Sequence, residues 1–146
     1  MVKGLDRFRE RFREFEHAFT LIGGAACHEW FTALGLPFRA TALIPLKAHA
    51  WLNLTKRRAS GAEVDSRIIA KHKNDLFRLA ATLPGKAGPE IAQTIKDDLI
   101  LFLAAFPEIS EQWPAILASL KETFGGGTRP AALRSAIQIF FRLPPA

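Results

Sequence analysis

Apolar residues recur at three- and four-residue spacing over most of this chain, a pattern that is typical of amphipathic helices. The pattern predicts an N-terminal helix over residues 5–17, with one aromatic face and one face of arginine and glutamate. It predicts further helices over the segments 25–34, 43–58, 65–83, 90–106, 110–124 and 131–143. Asp65 with Ser66 is placed to cap the helix at 65–83, Thr128 to cap the last helix and Pro130 to begin it.

Two short segments have the composition of strands. Residues 19–22 are apolar and rich in β-forming types, and residues 36–41 form the second candidate, in which Pro37 confines the strand to an edge or to its beginning. Two short strands make only a marginal sheet in water. We therefore predict a mainly α fold of about six helices, with at most a small two-stranded β remnant.

A proline- and glycine-rich connector at residues 84–89 divides the helical pattern. The predicted organisation is a first region at 1–83, the connector, and a C-terminal helical region at 90–146 that packs into the same domain. The last helix is apolar around much of its circumference. It is therefore predicted either to be a central core helix or to contact another chain, as a protein partner or a homo-oligomer.

Composition limits the class of protein. The chain has 146 residues, 49% of them hydrophobic, which suits one globular domain with a real core. Its single cysteine, Cys27, excludes an internal disulfide. The start of the chain is charged, and no apolar run approaches the length of a membrane span. These features predict a soluble cytoplasmic protein with no membrane association.

The charge balance is strongly basic. Twenty Lys and Arg residues stand against fourteen Asp and Glu residues, a net charge of +6 and a sequence pI near 10.0. Such an excess favours a polyanionic partner, a nucleotide or a nucleic acid, although it is also compatible with an ordinary solvated surface. The predicted basic patch comprises Lys56, Arg57, Arg58, Lys71 and Lys73.

Gly23 and Gly24 lie between the first candidate strand and the helix predicted at 25–34. Two glycines let the backbone approach a ligand closely, and the amides that open a helix attract an anionic phosphate. The pair is thus a candidate phosphate site, while a plain turn is the simpler alternative.

Residues 19–41, read as apolar strand, Gly-Gly, amphipathic helix, Gly and an Arg-Ala-Thr segment, resemble the opening of the nucleotidyltransferase fold of the polymerase-beta superfamily. They are most similar to the abortive-infection (AbiE) toxin-like nucleotidyltransferases of toxin–antitoxin systems. A second block, residues 43–52 followed by 71–79, is similar to the helices that follow the catalytic sheet in those proteins. The two blocks cover about half of the chain and stand in the family's order.

The resemblance implies an Asp-x-Asp strand after the Gly-Gly helix, because paired carboxylates hold the divalent metals that bind the triphosphate. This sequence has no Asp or Glu between Glu29 and Glu63. Compared with the family that it resembles, the chain lacks the acidic strand and much of the sheet near Thr41, and we predict neither catalytic residues nor metal ligands. Magnesium and a nucleoside triphosphate are expected only if the family activity survives.

Two residues outside the Gly-Gly turn also match the family. By resemblance, Lys47 corresponds to a lysine directed at the nucleotide phosphates, and Asp75 to an acidic residue that orients that lysine or the acceptor. Their alternatives are a solvated lysine and an exposed partner of Lys71 or Arg78.

Three hypotheses of function follow. The first is a shortened nucleotidyltransferase-like protein that retains weak nucleotide binding at Gly23, Gly24 and Lys47, without nucleotidyl transfer of its own. The second is a non-enzymatic helical interaction module, and the third is a basic helical domain that binds nucleic acid.

Overall fold

The computed structural model describes residues 40–144, together with Glu10. Within residues 40–144 the chain forms five helices and no strand, so the prediction of a mainly helical fold is confirmed for this part. The helices are α1 (Ala40–Ala59), α2 (Ser66–Ala80), α3 (Gln93–Ala104), α4 (Trp113–Phe124) and α5 (Pro130–Phe141). The predicted helices at 5–17 and 25–34, the Gly23–Gly24 turn and the strand at 19–22 lie outside the described residues.

Helix α1 begins earlier than the sequence pattern predicted. Ala40 and Thr41 are already helical, so the predicted strand at 36–41 is wrong at its last two residues, and its other residues lie outside the described part. Pro45 consequently lies inside the helix and not in its first turn. Because proline has no N–H, the carbonyl of Thr41 lacks its usual helical hydrogen bond. Burial compensates for this loss, because Ile44 and Ala48 are completely buried in the core.

Helices α1 and α2 form an antiparallel hairpin joined by residues 60–65. Gly61 turns the chain with a φ of +88°, a conformation that a residue without a side chain adopts without strain. Asp65 is the N-cap of α2, as predicted, and its carboxylate accepts a hydrogen bond from the backbone N–H of Arg67 at 2.8 Å. The ion pair between Lys47 and Asp75 fixes the register of the two helices.

An aromatic cluster forms the centre of the core. Phe77 of α2 packs with ring centroids 4.8–5.5 Å from its neighbours, and Trp51 of α1 packs edge-to-face on Phe102. The cluster comprises Trp51, Phe77, Phe102, Phe106 and Trp113. Because its members come from α1, α2, α3, α4 and the segment after α3, this cluster ties four helices together.

A buried arginine links α5 to the end of α3. The side chain of Arg134 is 7% exposed, and its Nη1 donates to the carbonyls of Leu103, at 2.6 Å, and Phe106. Carbonyls at the C-terminal end of a helix lack intrahelical partners and carry the negative end of its dipole. Arg134 therefore satisfies these carbonyls with a cation where a cation is favoured.

The ends of α3 and α5 differ from the predictions. Helix α3 begins at Gln93, with Ala92 as its N-cap, and not at Glu90, whose carboxylate instead pairs with Lys96 and Arg142. Arg129, and not Thr128, is the N-cap of α5, and it makes no side-chain cap hydrogen bond. Pro130 begins α5 as predicted, because its fixed φ suits the first helical position.

The connector between the hairpin and α3 is held against α5. The N–H of Gly88 donates to the carbonyl of Phe140 at 2.8 Å, and Arg142 donates to the carbonyl of Gly88 at 3.1 Å. A Cβ atom on Gly88 would lie 2.6 Å from the ring of Phe140, so only glycine fits beneath it. The predicted connector at 84–89 is thus packed on the bundle and is not a free linker.

Helix α5 buries most of its apolar side chains in the bundle. Leu133, Ile137, Phe140 and Phe141 are all buried, whereas Ile139 is about half exposed. Most of the apolar residues that the sequence places around this helix therefore face the core. None of the helices in the described part of the chain is both long and apolar enough to cross a bilayer.

Candidate functional site

The positive charge of the described chain is concentrated in the α1–α2 hairpin. Residues 40–80 carry eight Lys and Arg residues against three Asp and Glu residues, whereas residues 81–144 carry six of each. The hairpin is therefore strongly basic, and the three following helices with their connections are neutral. The electrostatic field of this uneven charge distribution attracts anions towards the hairpin.

Most of this charge lies at the closed end of the hairpin, which we call the basic tip. Three of its cations occupy the last turn of α1, one lies in the first turn of α2 and one lies a turn further along α2. All five side chains are exposed. The basic tip consists of Lys56, Arg57, Arg58, Arg67 and Lys71.

The hairpin register sets the size of the tip. Lys47 lies opposite Asp75, so the last turn of α1 lies level with the start of α2. At 1.5 Å per residue, Lys71 lies about 9 Å from that level along the axis of α2, towards the open end of the hairpin. Within residues 40–144, only Arg67 of the tip is ion-paired, through Asp65 at 2.9 Å. With respect to residues 40–144, the tip therefore presents four unneutralised cations over a short distance.

Lys47 and Asp75 lie towards the open end of the hairpin, where they contact each other. Lys47 Nζ lies 2.7 Å from Asp75 Oδ2, and Arg78 Nη1 lies 3.1 Å from Asp75 Oδ1. Arg78 also donates to the carbonyl of Ser119 in α4 at 3.3 Å. Each oxygen of Asp75 thus accepts from a different cation, and Arg78 is one of the two partners that the sequence offered for Asp75.

His72 lies in the same region of the hairpin. Burial lowers the pKa of His72 below its usual range, and the charge of Lys47 adds to the lowering. Its Nδ1 is buried and has no hydrogen-bond partner among the described residues. A neutral imidazole at this place leaves Lys47 and Arg78 as the cations around Asp75.

Lys73 does not belong to the basic tip. Its Nζ donates to Gln112 Oε1 at 2.9 Å and lies 5.8 Å from the ring centroid of Phe106, on the side of α2 that faces the core. Burial lowers the pKa of Lys73. The structure therefore brings Lys56, Arg57, Arg58 and Lys71 together and separates Lys73 from them.

A second polar pair joins α1 to α3. His49 Nδ1 lies 2.7 Å from Asp98 Oδ2, at the edge of a shallow groove that is also lined by Pro45, Leu46, Thr94 and Ile95. The hydrogen bond to Asp98 fixes the orientation of an imidazole that is otherwise two-thirds exposed. Thr94 is the other side chain with a polar group that lines the groove, and the described residues hold no group of three metal-ligating side chains.

Arg67 is a residue of the basic tip that was not predicted. Arg67, Lys71 and Arg78 recur at spacings of four and seven residues, which places them on one face of α2, and this spacing was readable in the sequence. The other candidate residues, Gly23 and Gly24, lie outside the described residues.

No protein-family model, curated protein or solved structure matches this chain.

Proposed function

We propose that the protein is a non-enzymatic, basic helical domain that binds nucleic acid through the basic tip. The observation that carries the proposal is the charge division of the described chain, in which the hairpin holds the whole excess of positive charge. Four of the tip's five cations have no carboxylate partner within residues 40–144.

Nucleic acid suits such a surface because its phosphates are closely spaced and surrounded by condensed counterions. Each cation that neutralises a phosphate releases counterions, so affinity falls steeply as the salt concentration rises. Clustering these cations costs the helix little stability, because the helix dipole stabilises cations in the last turn of α1. The same charges therefore serve helix stability and are available to a ligand.

The charge of the tip can be removed without disturbing the core. In a triple variant with Lys56→Gln, Arg57→Gln and Arg58→Gln, we expect binding to a labelled nucleic acid to weaken by at least about tenfold near physiological salt. The slope of log K against log salt should fall by about 2 to 3, because three phosphate contacts are lost. Fluorescence anisotropy over a salt series measures both quantities.

The chain offers a control with the same net charge. Lys86, Lys121 and Arg129 are exposed and lie outside the hairpin, so their replacement by glutamine also removes three positive charges. This control should bind within about threefold of the unmodified protein if position, and not total charge, decides affinity. Equal weakening in both triple variants would refute the tip as the binding surface.

The Lys47–Asp75 contact favours a second candidate, a shortened nucleotidyltransferase-like protein that still binds a nucleotide. The resemblance implies that an acidic residue orients this lysine, and Asp75 does contact Lys47. In this proposal Gly23, Gly24 and Lys47 face the triphosphate, and the missing carboxylates prevent catalysis by this chain alone.

Binding of a labelled nucleoside triphosphate tests the second candidate. We expect binding that weakens at least about tenfold in Lys47→Ala, through loss of a charged hydrogen bond to phosphate. Gly24→Val should weaken it similarly, by filling the space where the phosphate would approach. If the unmodified protein binds no triphosphate with or without magnesium, the nucleotide proposal is wrong, and nucleic-acid binding is unaffected.

A further inference from the structure

The described chain exposes no Phe or Trp side chain. Residues 40–144 contain eight Phe and Trp residues, and all of them are buried or half-buried. The large apolar side chains that are exposed are aliphatic, namely Leu46, Ile68, Leu101, Ile109 and Ile139. The surface of this part of the protein therefore lacks the large aromatic rings on which single-strand-binding proteins stack bases.

The hairpin itself shows this most clearly. Its two aromatic residues, Trp51 and Phe77, both belong to the aromatic cluster. Trp51 lies 5.3 Å from Phe102 and 5.1 Å from Phe106 between ring centroids, and Phe77 is completely buried. Neither ring is available to a ligand at the basic tip unless the core opens.

This arrangement discriminates between forms of nucleic acid. Proteins that bind single strands combine a basic groove with exposed aromatic side chains, and stacking contributes about 1–3 kcal/mol per base. The basic tip has no exposed Phe or Trp ring, so a single strand gains no ring-on-ring stacking there. A duplex keeps its own stacking and presents phosphates at higher density, one charge per about 1.7 Å of helix axis.

The dimensions of the tip also suit a duplex. The cations on α1 and those on α2 belong to packed helices, whose axes lie about 8–10 Å apart. The grooves of a B-form duplex are about 6 and 12 Å wide. Since Lys71 also lies about 9 Å along the axis from the level of Arg57, these two positions are about 12–13 Å apart, a separation of the same order as the wider groove.

We infer that the basic tip binds the phosphate backbone of double-stranded nucleic acid and does not recognise bases. This inference rests on the proposed function, and it names the substrate class. Arg67 and Lys71 act from α2, about 6 Å apart along the helix axis, and the three cations of α1 act beside them. The backbone is common to duplex DNA and duplex RNA, so both are ligands in principle.

The test compares one oligonucleotide of mixed sequence as a single strand, as duplex DNA and as duplex RNA, using the full chain and anisotropy across about 50–200 mM salt. At least one duplex should bind about tenfold more tightly than either of its strands, and the tighter duplex identifies the source. A second duplex of unrelated sequence should bind within about threefold of the first. The double variant with Arg67→Gln and Lys71→Gln should lower the salt slope by about 1 to 2.

The outcomes separate the two proposals. If single strands bind as tightly as duplexes and the Lys56, Arg57 and Arg58 triple variant still weakens binding, the duplex inference is overturned and the proposed function stands. A strong preference between the two duplex sequences would also overturn it, since it would require base contacts. If no nucleic acid binds at low salt, the proposed function itself fails.

Discussion

Replacing Arg134 with methionine is expected to lower the free energy of unfolding by about 3 kcal/mol, the typical contribution of two hydrogen bonds from a charged donor at about 1.5 kcal/mol each. The guanidinium is the donor to the carbonyls of Leu103 and Phe106 at the end of α3. Methionine fills a similar volume, so the loss should reflect hydrogen bonds and charge more than packing. Urea denaturation followed by circular dichroism measures the change.

Arg134→Lys is the informative companion variant. An ammonium keeps the positive charge at the C-terminal end of α3 but cannot reproduce the planar fork of a guanidinium. We therefore expect its stability to lie between those of the unmodified protein and Arg134→Met. If Arg134→Met is as stable as the unmodified protein, water or a backbone shift satisfies the carbonyls, and Arg134 does not hold α5 to α3.

Phe77→Ala is expected to be still more damaging, at about 3–5 kcal/mol, the usual range for removing a buried phenylalanine. Phe77 is completely buried, and its ring contacts those of Phe102, Phe106 and Trp113 at centroid distances of 5.5, 5.5 and 4.8 Å. Loss of the ring leaves a cavity among four helices. With a urea m-value of about 1–3 kcal/mol per molar, the denaturation midpoint should fall by more than about 1 M.

Phe77→Leu provides the graded control, because it keeps part of the buried volume and should cost about half as much. The comparison distinguishes a cavity effect from the loss of aromatic edge-to-face contacts, which contribute about 0.5–1.5 kcal/mol per pair. A loss below about 1 kcal/mol in Phe77→Ala would contradict the central position assigned to this ring.

Local signals predicted the helices of the described chain well. Asp65 caps α2 and Pro130 begins α5 because both effects depend on one or two neighbouring residues. The prediction for Pro45 was wrong because it used the same local rule. Burial of Ile44 and Ala48 outweighs the hydrogen bond that the proline cannot make.

The range of α2 was predicted, but the width of its buried side was not. Leu76, Phe77 and Ala80 are buried, and Ile68 is about half exposed because the first turn of α2 lies at the tip of the hairpin. Helix α2 contacts α1, α4 and α5, so it is covered over a wider arc than one amphipathic stripe implies.

The environment of each lysine in the predicted basic patch could be predicted from the sequence only in part. Lys71 and Lys73 are two positions apart and therefore project from different sides of α2. Helical geometry separates them, but only the path of the segment after α3 shows that Phe106 and Gln112 receive Lys73. Contacts between residues so distant in sequence leave no local pattern.

The fit of Gly88 beneath Phe140 has a consequence for how copies of this chain associate. Exchange of an element between two molecules requires a connector that can open and act as a hinge. Here the connector is fastened to α5 by the backbone of Gly88 and by Arg142, so opening it breaks contacts with the bundle. These contacts therefore disfavour dimers in which the α1–α2 hairpin of one copy docks on the last three helices of another.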